Sequence, residues 1–257
     1  MLFIKQINKT VFFCVIGLLL LIILLFQPSK QEVLLDASLK KHFGLIHDGE
    51  TGSARVRLRQ FMDSNGESSQ SLFLMGLSYH SEKRYAKAVE WLEQSVSTQK
   101  DMYPPSWHYL GWSHFYLGNG AQANDAFEQY LVIQPDEPDT IFALGLLAME
   151  EGEFESAEEL FGRVVQITAQ SRNRLIRAKA SARLADVQVE LGRLDSAILL
   201  YNDALGRNPD LYEAWHRLAT VLQRVGREEE ALTAFSESES ARNRIRPDLM
   251  QTTEFPE

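Results

Sequence analysis

Residues 107–135 read WHYLGWSHFYLGNGAQANDAFEQYLVIQP, and their spacing is that of two helices folded back on each other. Trp107, Leu110 and Gly111 stand at i, i+3 and i+4, one helical face with a small residue where a neighbouring helix must approach closely. Gly118 supplies the left-handed turn that ends this helix. Ala123 and Phe127 then share a face of the second helix, small beside large, and Pro135 closes the stretch. Two short helices cannot bury their apolar stripes alone, so the stretch demands neighbours built to the same plan.

The chain supplies them. Ala54, Ala88, Ala123, Ala157, Ala197 and Ala231 fall 34, 35, 34, 40 and 34 residues apart. Gly49, Gly118, Gly152, Gly192 and Gly226 each precede one of these alanines by five residues. The upstream trio recurs as Ile141, Leu144 and Gly145, as Ser181, Leu184 and Ala185, and as Trp215, Leu218 and Ala219. Phe161, Tyr201 and Phe235 follow their alanines by four residues, as Phe127 does. A period of about 34 residues marks an array of two-helix units stacked into one continuous core.

The pattern resembles the tetratricopeptide repeat (TPR), whose unit carries Trp, Leu, Gly, Tyr, Ala, Phe, Ala and Pro at fixed offsets. Five units span 69–245: 69–103 with Leu72, Gly76, Tyr79, Tyr85, Ala88 and Leu92, then 104–137, 138–171, 178–211 with Ala204 and Pro209, and 212–245. Residues 35–68 keep Gly49, Ala54, Leu58 and Phe61, but Lys41 and His42 stand where Leu and Gly are usual, so this is expected to be a degenerate capping unit. The resemblance implies an all-α fold, a TPR helical solenoid wound as a right-handed superhelix of antiparallel helix pairs. Its concave inner face is expected to bind a protein or peptide segment.

The amino terminus adds a second element. Val11 to Phe26 is a run of sixteen uncharged residues, and as a helix it spans about 24 Å against a bilayer core of about 30 Å. Leu2, Phe3, Ile4 and Ile7 extend it, with Lys5 and Lys9 placed to snorkel. A cleaved signal peptide is the competing reading, but residues 27–32 offer no small-x-small cleavage site. The expected order is therefore a tail at 1–10, one transmembrane anchor at 11–27, a linker at 28–34, the repeats, and a flexible tail at 246–257. Lys5 and Lys9 before the anchor favour a cytoplasmic amino terminus and repeats outside the cytoplasm, which in a bacterial inner-membrane protein is the periplasm. Cys14, inside the apolar run, is the single cysteine, so the repeats form no disulfides among themselves. The net charge is -9, and leaving out Lys5, Lys9 and Lys30 gives -12 for residues 31–257, a balance that argues against nucleic acid as a partner.

In the resembling family the first helix of each pair lines the inner face one, five and eight residues after the Trp position. Carried over, those offsets give Phe73, Leu77 and His80; His108, Trp112 and Phe115, with Tyr116 adjacent; and Phe142, Leu146 and Met149. These form a candidate apolar trough for an amphipathic or bulky-anchored segment. The next two units place Ala182, Asp186, Val189, His216, Thr220 and Gln223 there, so the face turns polar toward the carboxyl end. A chaperone-type carboxylate clamp is incomplete, because Lys179 and Arg183 lack the Lys and both Asn partners at His108, Trp112 and Ala143. A six-residue insertion with Arg172, Arg174 and Arg177 precedes the fourth unit. Histidines at 42, 47, 80, 108, 114 and 216 follow no metal-ligand spacing, and neither a phosphate loop nor a catalytic set is present in the pattern, so no cofactor and no metal are expected. The expected role is a membrane-anchored scaffold or chaperone for assembling an envelope complex. The alternative is a constitutive subunit of a larger membrane complex, bound through its convex face and termini.

Overall fold

Gly118 sits at φ +75°, and its amide donates to the Phe115 carbonyl while Asn119 reaches back to His114. This αL closure ends one helix and launches the next, and Gly49, Gly152, Gly192 and Gly226 repeat it. In the 69–103 unit the position belongs to Lys83, held at φ 60° with the same pair of backward hydrogen bonds, Lys83 to His80 and Arg84 to Tyr79.

The computed structural model describes residues 34–98, 102–170 and 174–246. Tail 1–10, segment 11–27, nearly all of linker 28–34 and the carboxyl-terminal tail from 247 lie outside the described residues. Among the described residues no helix is long and apolar enough to cross a membrane.

Twelve helices are described, and no strand accompanies them: α1 (Lys40–His47), α2 (Thr51–Asn65), α3 (Ser69–Ser81), α4 (Tyr85–Ser97), α5 (Pro105–Tyr116), α6 (Gly120–Ile133), α7 (Pro138–Glu150), α8 (Phe154–Ile167), α9 (Arg174–Glu190), α10 (Leu194–Arg207), α11 (Tyr212–Arg224) and α12 (Glu228–Ile245). Local chemistry sets several starts. Ser68 and Ser71 form a reciprocal capping box at α3, and the Glu137 carboxylate accepts from the Thr140 amide at 2.7 Å with Pro138 at the first position of α7. The insertion lengthens α9 to 17 residues.

Inside each pair the two helices meet through the small-against-large couple. A Cβ on Gly111 would lie 2.5 Å from the Phe127 ring, and one on Gly145 would lie 2.7 Å from Phe161. Glycine is therefore required by close approach, and the filled gap leaves Phe127 and Phe161 fully buried. Each helix packs on the next in the chain, and the first helices of neighbouring units also touch, α3 on α5, α7 on α9 and α9 on α11. The result is an all-helical TPR solenoid built from sequential contacts.

Candidate peptide-binding groove

Trp112, Phe115 and Tyr116 all project from the last two turns of α5 because the glycine trio, one residue out of phase, occupies the face turned toward α6. Trp112 stacks on Tyr116 at 5.6 Å between ring centroids and meets Phe115 and Phe127 edge-on. Tyr116 in turn stacks on Tyr85 of α4 at 4.6 Å. The outermost ring, Tyr116, is 52% exposed. This cluster forms one wall of a groove of about 650 Å³, continued by Phe142 and Leu146 of α7.

The facing wall is mixed. Leu175, Lys179, Ala182 and Arg183 come from α9, Leu211, Tyr212, Ala214 and Arg217 from the start of α11, and Ile245 from the end of α12. Behind it lies a buried carboxylate. Asp186 accepts from the Tyr201 hydroxyl at 2.6 Å, from Arg183 at 3.0 Å and from Arg217. Burial, reinforced by Asp186, pushes the Tyr201 hydroxyl far above its ordinary value, so it stays a donor. Two guanidiniums are thereby fixed at the groove edge instead of waving in solvent, which is more than the sequence pattern suggested for Arg183. A second cavity of about 380 Å³ runs beside this carboxylate and takes in Met149.

The nine expected binding residues therefore divide. Trp112, Phe115, Tyr116, Phe142 and Leu146 line the groove, although Phe142 is largely covered by its packing on Phe161. Met149 faces the smaller cavity. His108 is turned into the seam between α5 and α7, with Nδ1 2.7 Å from the Thr140 hydroxyl and Nε2 3.5 Å from Asp139. Phe73 and Leu77 are buried at 3% and 6% exposure, Phe73 beneath Tyr103 and Tyr109, and neither reaches the groove.

Electrostatics follow burial. His108 is driven below its ordinary pKa by desolvation, partly opposed by Glu137 and Asp139, and Asp139 is raised by its own desolvation against the pull of His108. Trp112 donates its indole N–H to Asp139 at 3.2 Å, so the groove's central aromatic is oriented by a polar anchor below it. His80, packed against Tyr85, Tyr109 and Tyr116, is lowered to about 4, first by burial and then by His108. Among the described residues no cluster of three His, Cys, Asp or Glu side chains is placed to hold a metal ion. What the site offers is apolar contact area edged by fixed cations.

Sequence reasoning did not find Leu175, Tyr212, Arg217 or Ile245. Leu175 stands in the insertion, out of register with the repeat, and Ile245 belongs to a second helix, a class of position that the inner-face offsets never sample. The one available sign was the insertion itself, whose Leu175 and Ile176 interrupt a polar run.

Tetratricopeptide-repeat family models match residues 69–102, 138–209 and 182–245. Together these stretches make up more than half of the 257 residues. Protein FlbA of Caulobacter vibrioides is 29% identical over 157 residues, which is 60% of this chain and 25% of FlbA, so the chain spans about a quarter of that relative's length. A crystal structure of MamA superposes with a TM-score of 0.57 at 16% identity, covering 67% of this chain and 97% of MamA. MamA from Desulfovibrio magneticus RS-1 gives 0.59 at 15% identity, covering 74% and 99%. At such identities the likeness concerns the fold. Helix pairs on a 34-residue rhythm, closed by αL turns and matched by the same repeat model class at three places, place the chain in the tetratricopeptide-repeat family.

Proposed function

We propose that this protein is a membrane-anchored interaction scaffold or chaperone, holding its repeats outside the cytoplasm and recruiting components of an envelope assembly such as a secretion, pilus, polysaccharide-export or cytochrome-maturation system. Residues 11–27 serve as the anchor, 35–68 as the capping unit and 69–245 as the binding array. Tetratricopeptide repeats mediate protein–protein interaction, and the repeat scaffold is typically non-enzymatic. The observation that carries the finer reading is the groove: stacked Trp112 and Tyr116 facing Leu175, Lys179, Arg183 and Arg217 across about 650 Å³. Large aromatic anchors in a concave patch are where alanine substitutions cost most binding energy, and exposed apolar surface gathered in one place marks a partner site. The suited partner is an amphipathic or bulky-anchored protein segment carrying acidic residues.

The test is crosslinking in intact cells, comparing wild type with Tyr116→Ala and Leu175→Asp, two half-exposed positions, with helicity measured alongside by circular dichroism. Capture of the crosslinked partners should drop by at least threefold in each. An unaltered partner set, with helicity unchanged, rules the groove out. A periplasm-dependent reporter fused after Glu257 should be active; silence would place the repeats on the cytoplasmic side.

A further inference from the structure

The last described helix ends inside the groove. Ile245, the final residue of α12, lines it and is 49% exposed, and the Arg246 amide still donates to the Arg242 carbonyl. The chain therefore leaves the helix at the groove's own rim, and Pro247 cannot donate the next helical hydrogen bond. We propose that residues 247–257, PDLMQTTEFPE, occupy this groove in the same molecule and compete there with the partner segment. The competition rests on the groove being the partner site; the occupancy does not.

Reach and chemistry argue for it. An extended chain advances at most about 3.3–3.6 Å per residue, so Leu249 lies within about 14 Å of Ile245 and Phe255 within about 35 Å. Leu249, Met250 and Phe255 supply bulky apolar groups, and Asp248, Glu254 and Glu257 are acids with no basic residue among them. The groove presents Trp112, Tyr116 and Leu175, with Lys179, Arg183 and Arg217 against the acids Asp210 and Glu213. Asp210 is already paired with Arg244 at 3.0 Å, and Arg183 and Arg217 share the one carboxylate of Asp186, so with Glu213 counted the groove keeps a single positive charge in excess, centred on Lys179 and the shared guanidiniums. A tether of a few residues gives the tail an effective concentration in the millimolar range, so weak intrinsic affinity suffices for occupancy. The tail and the proposed partner share one chemistry, bulky apolar anchors beside acids, which is why one displaces the other.

The experiment uses the full chain in detergent and a fluorescein-labelled peptide, PDLMQTTEFPE, as probe. The variant L249A/M250A/F255A, its groove vacated, should bind the peptide at least tenfold more tightly than wild type, and adding Leu175→Asp to that variant should remove at least tenfold of the gain. Equal affinity for wild type and the tail variant, or binding to neither, overturns the proposal. Benzoylphenylalanine placed at Phe255 should crosslink within one chain to α5 or α9; crosslinks confined to the outer face of α12, or formed between chains, also overturn it. Equal peptide affinities together with partner capture that still depends on Tyr116 would sink the tail and spare the groove. An intrachain crosslink with an unaltered partner set would do the reverse.

Discussion

Lys83 is the one non-glycine residue with positive φ among the described residues, and it stands where other units place glycine. The left-handed conformation costs an L-residue about 1–2 kcal/mol, whereas glycine loses up to about 1 kcal/mol through the greater freedom of the unfolded chain. The first term is the larger. Lys83 is exposed, so its replacement sacrifices no packing. Lys83→Gly should stabilise the repeats by about 0.5 kcal/mol, seen as a higher urea midpoint at unchanged slope; a lower midpoint would mean that the turn is not strained. The opposite logic holds at Gly111 and Gly145, where the ring of the following helix, and not the backbone, forbids a side chain. Two glycines in one repeat are thus kept for different physical reasons, and both reasons were readable from position: one at the helix end, one between the apolar residues of its face.

Among elements, the first helices of successive units are tied by polar contacts on the inner side. His80 of α3 meets the Ser113 hydroxyl of α5 at 3.0 Å, His108 of α5 meets Thr140 of α7, and Arg217 of α11 reaches Asp186 of α9. These ties decide which of the expected inner-face positions stay open. Its first position in each unit, Phe73, His108 and Phe142, is consumed by packing on the next unit or the partner helix, while the later positions of α5 and α7 stay accessible. The pairing of helices was legible because it depends on contacts within about twenty residues; the accessibility of a given inner position was not, because it depends on how the neighbouring unit is seated. The same ties carry a pH dependence. His80 has a folded pKa of about 4, below its ordinary 6.5, so the unfolded chain takes up the proton first as pH falls. Its contribution is complete above pH 6.5 and is lost as pH drops to about 4, about 3 kcal/mol over that window at about 1.4 kcal/mol per pKa unit. His108 acts in the same direction. Urea denaturation at pH 7 and pH 4.5 should therefore show a smaller loss for His80→Gln than for wild type; parallel losses would remove His80 from the account.

Across the whole array, each unit touches its chain neighbours, so stability is expected to be close to a sum of unit and interface terms, with no single core to lose. The groove depends on that arrangement. Its two walls come from α5 and α7 on one side and from α9, α11 and the end of α12 on the other, so it exists only while the units on both sides of the insertion are stacked in register. The 34-residue spacing set the expected repeat count and capping order, but it carries no sign of a groove formed across the insertion, since no local pattern links Trp112 to Leu175 or Ile245. Ala157 offers a direct probe of this modular behaviour. It is fully buried in α8, in the middle of the array, and shares its core cluster with Phe161, Ile141 and Val187. Ala157→Leu inserts a larger side chain into that close-packed junction and should cost about 1–3 kcal/mol. In a sum of neighbour terms the damage stays near the site: hydrogen exchange should quicken most in α7, α8 and α9, while α3 and α4 at one end and α11 and α12 at the other keep most of their protection. Peptide binding at the groove should weaken together with α9. If protection instead falls by the same factor in all twelve helices, the solenoid opens as one cooperative body, and the modular account is the one that fails.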